Sequence, residues 1–203
     1  LAVQVVTEVD APIVALELHE LEVTEPREDF EPEVAAAEAW ARAGRVRNIG
    51  PARALYHRFG MDPTRHRPSS EALLRRVSRG NPLPRVNSLV DVANVVSLRL
   101  QVPIGLYDLG QVEGKLTVRL GREAESYAGI RKELVIVADR LCVADDRGPC
   151  GNPSADSART MITTATEAAA WLFFLPVTEQ DLRWVYELVA RFGRGLVRVV
   201  SPP

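Results

Sequence analysis

Asn87, Asp91, Asn94, Ser97 and Gln101 recur every three or four residues along a tract, Asn81 to Asp108, that is otherwise largely apolar. Read as a helix, this is a hydrophobic rod with one narrow polar stripe. A solvent-facing stripe normally recruits Lys, Glu and Arg. Short amides, a carboxylate and a hydroxyl suit positions where each polar atom meets a fixed partner or a ligand. A buried network joining the helix to its loops and one wall of a binding site both fit this pattern. A second group lies in ADDRGPCGNPSADSART (144–160), a stretch without regular periodicity that carries Gly148, Gly151, Asn152, Asp156, Ser157, Arg159 and Thr160. Such loops inside a compact domain are usually functional. The local alternative pairs Asp156 with Arg159 and lets Ser157 and Thr160 cap turns. The third group, ESYAGIRKE (125–133), supplies Tyr127, Gly129, Lys132 and Glu133.

Other chemistries find no foothold. Neither GREAESYAG nor GPCGN has the spacing of a phosphate-cradling glycine loop, and there is no GxSxG elbow. Cys142 and Cys150 form no CxxC pair, and His19, His57 and His66 are scattered, so no metal and no cofactor are expected. Cys150 lacks a sequence neighbour that would activate it as a nucleophile, which favours packing.

The elements that must hold these groups alternate without a strict βαβ order, which predicts an α+β fold with a mixed sheet. Strands are expected at Val3–Val6 and Ile13–Val23, and helices at Glu31–Ala43 and Asn48–Phe59. Ser69 or Ser70 is expected to cap a short helix ending at Gly80, ahead of the polar-striped one. Beyond Pro103 the texture turns to β: Lys115–Leu120, Leu134–Ala138, Leu141–Ala144 and Thr160–Thr164 are strand candidates, and Ala168–Leu175 is a buried element of either type. Thr178 with Asp181 reads as a near-capping box opening a helix to about Phe192, followed by a strand at Leu196–Val200.

At 203 residues and 46% hydrophobic, the chain can bury a substantial core as one domain. It has no apolar run long enough to span a bilayer, and two free thiols fit a cytoplasmic protein. The net charge of −2 hides an asymmetry: residues 1–39 hold eleven acids and one Arg, whereas 42–85 hold eleven Arg and two acids. Part of this can be internal pairing. The functional alternative is a guanidinium-rich surface for phosphates, with Arg65, Arg67, Arg75, Arg76 and Arg79 as RNA contacts.

Taken together, DPTRHRPSSEALLRRV, NPLPRVNSLVDVANVVSLRL, PIGLYDL, ESYAGI and ADDRGPCGNPSADSART resemble, in order, the B3/B4 domain of the phenylalanyl-tRNA synthetase beta subunit, and more closely its freestanding relatives. The likeness covers about Asp62 to Trp171. It implies a single B3/B4-like domain, with 1–60 an amino-terminal part, 61–175 the core and 176–203 a closing helix and strand. It also implies an aminoacyl-tRNA deacylase acting in trans on the CCA end of a mischarged tRNA, without metal: an ordered water attacks the ester, aided by polar side chains and a ribose hydroxyl.

On this reading Asn94, Glu133 and Asp156 are the catalytic candidates. Ser97, Tyr127, Gly148, Gly151, Asn152, Ser157, Arg159 and Thr160 are the substrate-binding ones. Gly148 and Gly151 would present backbone N–H groups to a carbonyl oxygen, and Arg159 would meet the terminal phosphate. Asn87 and Asp91 are read as scaffold. The sequence departs from the family pattern at Ala93, where the synthetase has Thr, and at Gly105, where it has His; the editing glutamate would fall near Glu167. In the synthetase this domain hydrolyses tyrosine wrongly esterified to tRNA(Phe), and these departures leave that preference open here. A non-catalytic RNA-binding module and a small-molecule enzyme reusing the amino-acid pocket are the alternatives.

Overall fold

The computed structural model describes residues 3–131 and 134–200. The polar-striped tract forms α4 (Ser88–Leu100), and ten of its thirteen residues are buried, as a helix apolar nearly all round must be. Its ends are set by its own stripe. Asn87 is the N-cap, its side chain accepting from the Val90 N–H at 2.9 Å. Gln101 closes the helix in the left-handed region at φ 53°, its amide donating back to the Leu98 carbonyl at 2.8 Å.

Helices α1 (Glu31–Arg42) and α3 (Ser69–Ser78) pack on α4, with α2 (Gly50–Arg58) between them in sequence. A four-stranded antiparallel sheet stands behind, in the order Leu196–Val199 (β11), Val14–His19 (β2), Ala169–Phe173 (β10), Ile104–Asp108 (β3). The run AAWLF of β10 is buried on both faces, which explains its lack of alternation in the sequence. A five-stranded mixed sheet follows the order Val5–Thr7 (β1), Leu116–Leu120 (β4), Leu141–Asp145 (β7), Gly148–Asn152 (β8), Ala155–Asp156 (β9). Ser126–Tyr127 (β5) and Val135–Ile136 (β6) form a separate two-stranded antiparallel sheet. Helix α5 (Glu179–Leu188) opens on a true capping box between Thr178 and Asp181. One continuous core takes in Val5, Leu16, Phe30, Tyr56, α4, β3, β10 and Phe192, so the first sixty residues contribute core side chains.

Several local expectations fail for non-local reasons. Residues 148–156 are not an irregular loop but two strands, whose polar residues alternate with Pro, Cys and Gly and hide the period. Thr160–Thr164 is no strand; Thr163 and Thr166 close a turn instead. Strand β2 stops at His19 because Glu20 turns left-handed (φ 54°). Neither Ser69 nor Ser70 caps α3, whose N-cap is Pro68; the Ser69 hydroxyl accepts from the Ile104 N–H at 3.4 Å. The helix expected to about Phe192 does form, as α5 continued by a π-helical turn, Val189–Gly193, before β11.

Candidate functional site

A cavity of about 380 Å³ lies where α4, β3 and β9 converge. Val90, Ala93, Asn94 and Ser97 line it from one side of α4; Ile104 and Leu106 come from β3, and Ser154, Ala155 and Asp156 from the β8–β9 hairpin. Gly129, Ile130 and Arg131 reach it from the segment after β5. Three exposed hydrophobics, Val86, Ile130 and Met161, also line it, giving an apolar rim open to solvent.

Most of the stripe is structural. Asn87 caps the helix and donates to the Ile162 carbonyl at 3.2 Å. Asp91 accepts from the Val86 N–H and from Arg85 Nε, both at 2.7 Å. The Ser97 hydroxyl donates to the Val102 carbonyl at 2.8 Å, although Ser97 also lines the cavity. Asn94 differs. Its amide makes one long contact, 3.4 Å to the Pro84 carbonyl, and its side-chain oxygen has no donor among the described residues.

The hairpin shows the same division. Asn152 Oδ1 accepts from the Ser154 and Ala155 N–H groups at 2.8 and 2.9 Å, forming the turn. The Tyr127 hydroxyl donates to the Ala155 carbonyl at 2.6 Å, Ser157 Oγ accepts from the Arg159 N–H, and Thr160 Oγ1 donates to the Cys150 carbonyl at 3.4 Å. Arg159 does not pair with Asp156. It forms a bidentate bridge to Asp145, with two contacts of 2.8 Å, and the guanidinium holds that carboxyl below its ordinary range although burial pulls the other way. Tyr127, Gly148, Gly151, Asn152, Ser157, Arg159 and Thr160 all lie outside the cavity lining.

Asp156 is what the hairpin leaves over. Oδ2 accepts from the Leu106 N–H at 3.1 Å, while Oδ1 is inaccessible to solvent and has no hydrogen bond. Burial pushes its pKa up to about 7, against the opposing pull of the Leu106 amide and the Tyr107 hydroxyl. That hydroxyl is itself buried and faces Oδ1 without closing a hydrogen bond of regular geometry.

Tyr107 was not among the sequence candidates, and two glycines make room for it. A Cβ on Gly105 or on Gly151 would sit 2.4 Å from the Tyr107 hydroxyl oxygen, closer than real Cβ contacts allow. Gly105 and Tyr107 share a face of β3 as i and i+2, so the ring folds back over the glycine. The space a histidine at position 105 would need is therefore occupied by Tyr107. The sequence signal was the pair Gly105 and Gly151, which only the ring between them explains.

Glu133 and Lys132 lie outside the described residues. Glu167 is exposed and does not line the cavity. Cys142 and Cys150 are free and buried, and burial pushes the Cys142 thiol up to about 11 and that of Cys150 well above its usual value, so both pack rather than react. Among the described residues no group of three or more His, Cys, Asp and Glu is placed to hold a metal, and no helix is long and apolar enough to cross a membrane.

Seven of the eleven arginines between 42 and 85 meet carboxylates, among them Arg53 and Arg67 on Glu71, Arg85 on Glu31 and Asp91, and Arg65 on Asp62. Three of these pairs, Arg42–Glu38, Arg58–Asp10 and Arg85–Glu31, join the basic block to the acidic one. Arg75, Arg76 and Arg79 are exposed around the end of α3, and Arg76 donates to the Pro82 carbonyl.

Comparison with known proteins bears on these observations. A stretch of 119 residues, 55% of the chain, is 28% identical to the phenylalanine–tRNA ligase beta subunit of Brucella abortus and covers 15% of that protein. The beta subunit of Ralstonia nicotianae is 34% identical over 74 residues, 36% of the chain and 9% of the relative. The chain therefore corresponds to a small part of these proteins. An amino-terminal fragment of the phenylalanyl-tRNA synthetase beta subunit from Pyrococcus horikoshii shares the fold, with a TM-score of 0.50 over 97% of this chain and 50% of that one at 14% identity. The B3/4 domain model matches residues 51–195, the span that holds α2 through α5 and every residue lining the cavity, and the chain belongs to the B3/4 domain family.

Proposed function

We propose that the chain is an aminoacyl-tRNA deacylase acting in trans, with the aminoacyl group held in the 380 Å³ cavity. The observation that carries this reading is the Asp156 carboxylate, one oxygen of which is buried without a partner beside an apolar cavity. An α-ammonium complements the charge of the Asp156 carboxyl at the cavity wall, while Val90, Ala93, Ile104 and Leu106 surround the side chain. The Asn94 side-chain oxygen accepts from the attacking water or the ribose hydroxyl, and Ser97 bounds the cavity beside it. Glu133, two residues along the chain from Arg131, is a second candidate for orienting water. With Arg159 engaged by Asp145, Arg131 is better placed for the terminal phosphate. Arg75, Arg76 and Arg79 then supply contacts to the tRNA body, with Arg65 and Arg67, both paired to acids, in a lesser role.

The test is a panel of correctly and wrongly charged tRNAs. At least one is deacylated faster than its uncatalysed rate, and Asn94→Ala and Asp156→Asn each slow that turnover while leaving the protein folded. Loss of no ester in the whole panel rejects hydrolysis. Neutralising Arg75, Arg76 and Arg79 together weakens tRNA binding at low salt; unchanged affinity rejects that surface. The same cavity also suits a free amino acid, because its described lining carries a single cation, Arg131. Thermal stabilisation by free amino acids, with no competition from tRNA, would favour that second reading.

A further inference from the structure

Helix α4 carries a second recess, of about 340 Å³, on its other side. At 3.6 residues per turn, Arg99 lies about half a turn around the helix from Val90, which lines the first cavity. The two recesses share no lining residue. The guanidinium carbon of Arg99 lies 3.9 Å from the Trp40 ring centre, on α1, and 5.5 Å from that of Trp184, on α5. Arg45, Arg47 and Gln180 complete the wall.

The charges around this recess do not balance. Arg47 is matched by Asp181, with contacts of 2.9 and 2.6 Å. Arg45 is exposed, and neither it nor Arg99 has a carboxylate partner or a side-chain hydrogen bond among the described residues. Burial lowers the Arg99 pKa, and the only opposing influence is Glu33 at a distance. Stacking on indoles uses the guanidinium faces and leaves its N–H edge available for an anion. Trp40, 41% exposed, also presents aromatic surface at the same place. A rivet tying α1, α4 and α5 together accounts for the stack. It accounts neither for the recess nor for Arg45.

We propose that this recess binds a nucleotide, its phosphate on the N–H edges of Arg45 and Arg99 and its base against the exposed part of Trp40. Guanidinium beside open indole is the combination that takes a phosphate and a nucleobase together. The nucleotide is either free or an unpaired residue of an RNA strand. The site goes beyond the acyl-binding cavity and does not depend on hydrolysis there.

Tryptophan fluorescence of the intact chain tests it, because Trp40 and Trp184 line the recess whereas Trp171 is fully buried in the core. AMP should change the emission saturably, with adenosine and inorganic phosphate each about tenfold weaker or more. Arg45→Gln and Arg99→Gln should each weaken AMP by about tenfold, and added salt should weaken it further. Arg45 has no ion pair or side-chain hydrogen bond among the described residues, so its variant stays informative even if Arg99→Gln disturbs the stack. Oligoadenylate binding at least about tenfold tighter than AMP assigns the site to an RNA strand, and equal binding assigns it to free nucleotide; both support the proposal. No saturable response to AMP or oligoadenylate overturns it. So does adenosine or phosphate binding as well as AMP, or undiminished AMP binding in the double variant.

Discussion

The two principal walls of the acyl-sized cavity, α4 and the β8–β9 hairpin, are similarly rich in small polar residues but use them differently. On α4 the polar atoms are almost all consumed in place: Asn87 caps, Asp91 ties down Val86 and Arg85, Gln101 terminates. Asn94 and Gln101 each keep an unengaged side-chain oxygen among the described residues, and of the two only Asn94 lines the cavity. The hairpin likewise satisfies Asn152, Ser157 and Thr160 internally, yet it leaves a carboxylate oxygen buried and unpaired at Asp156. The contrast teaches that polar density marks scaffold as readily as site. What distinguishes a site is hydrogen-bonding capacity left over at a cavity wall after the fold has been satisfied.

The largest expected effect comes from the consumed side of that contrast. Asp91→Ala removes the buried partner of Arg85, which keeps Glu31 and the Arg27 carbonyl, and leaves the Val86 N–H unpaired, and should cost about 3 kcal/mol in denaturant unfolding. A loss below about 1 kcal/mol would put Asp91 among solvated surface acids instead. Next is the glycine cradle. Gly151→Ala, which drives a Cβ toward the Tyr107 oxygen, should cost about 1–3 kcal/mol or more, part of it recovered when Tyr107→Phe removes that oxygen. Gly105→His should likewise destabilise the fold and fail to install the synthetase's residue functionally.

Asp156 has a signed dependence on pH. Its pKa is raised from 3.8 to about 7 in the folded chain, so the native state holds the proton more tightly than the unfolded state. Stability therefore falls as pH rises from 3.8 through about 7, because above that range the fold must bury a charge. Asp156→Asn should flatten this slope and, above pH 7, gain about 1–3 kcal/mol over the native chain. An unchanged slope would show that the carboxylate is solvated or paired. Last, Asn94→Ala should change stability by no more than about 0.5 kcal/mol, since its one contact is long, while slowing deacylation. A large loss of stability there would return Asn94 to the scaffold and erase the difference between it and its stripe.

Much of the fold was legible because it is locally encoded. The polar-striped helix, the Thr178–Asp181 box and the helix expected at Glu31–Ala43, which ends at Arg42, all follow from side chains acting within a turn or two. The ordered motifs from Asp62 onward were specific enough to show the family resemblance. Strands β8 and β9 were not legible, because Pro, Cys and Gly break their alternation and their pairing is with one another and with β7.

The site divides along the same line. The residue types available to it were written in the sequence: an Asn-bearing helix, an Asp-bearing polar stretch, apolar flanks, and no motif for a nucleophile. Tertiary structure alone decided which of them remained available. Arg159 turned from Asp156, three residues away, to Asp145, fourteen residues away, and so released one carboxylate while securing another. Tyr107 took the space between Gly105 and Gly151, and Arg99 was placed between tryptophans from two other helices. Partner choice among buried charges depends on which strands and helices are neighbours in space, and a linear pattern carries no record of those neighbours.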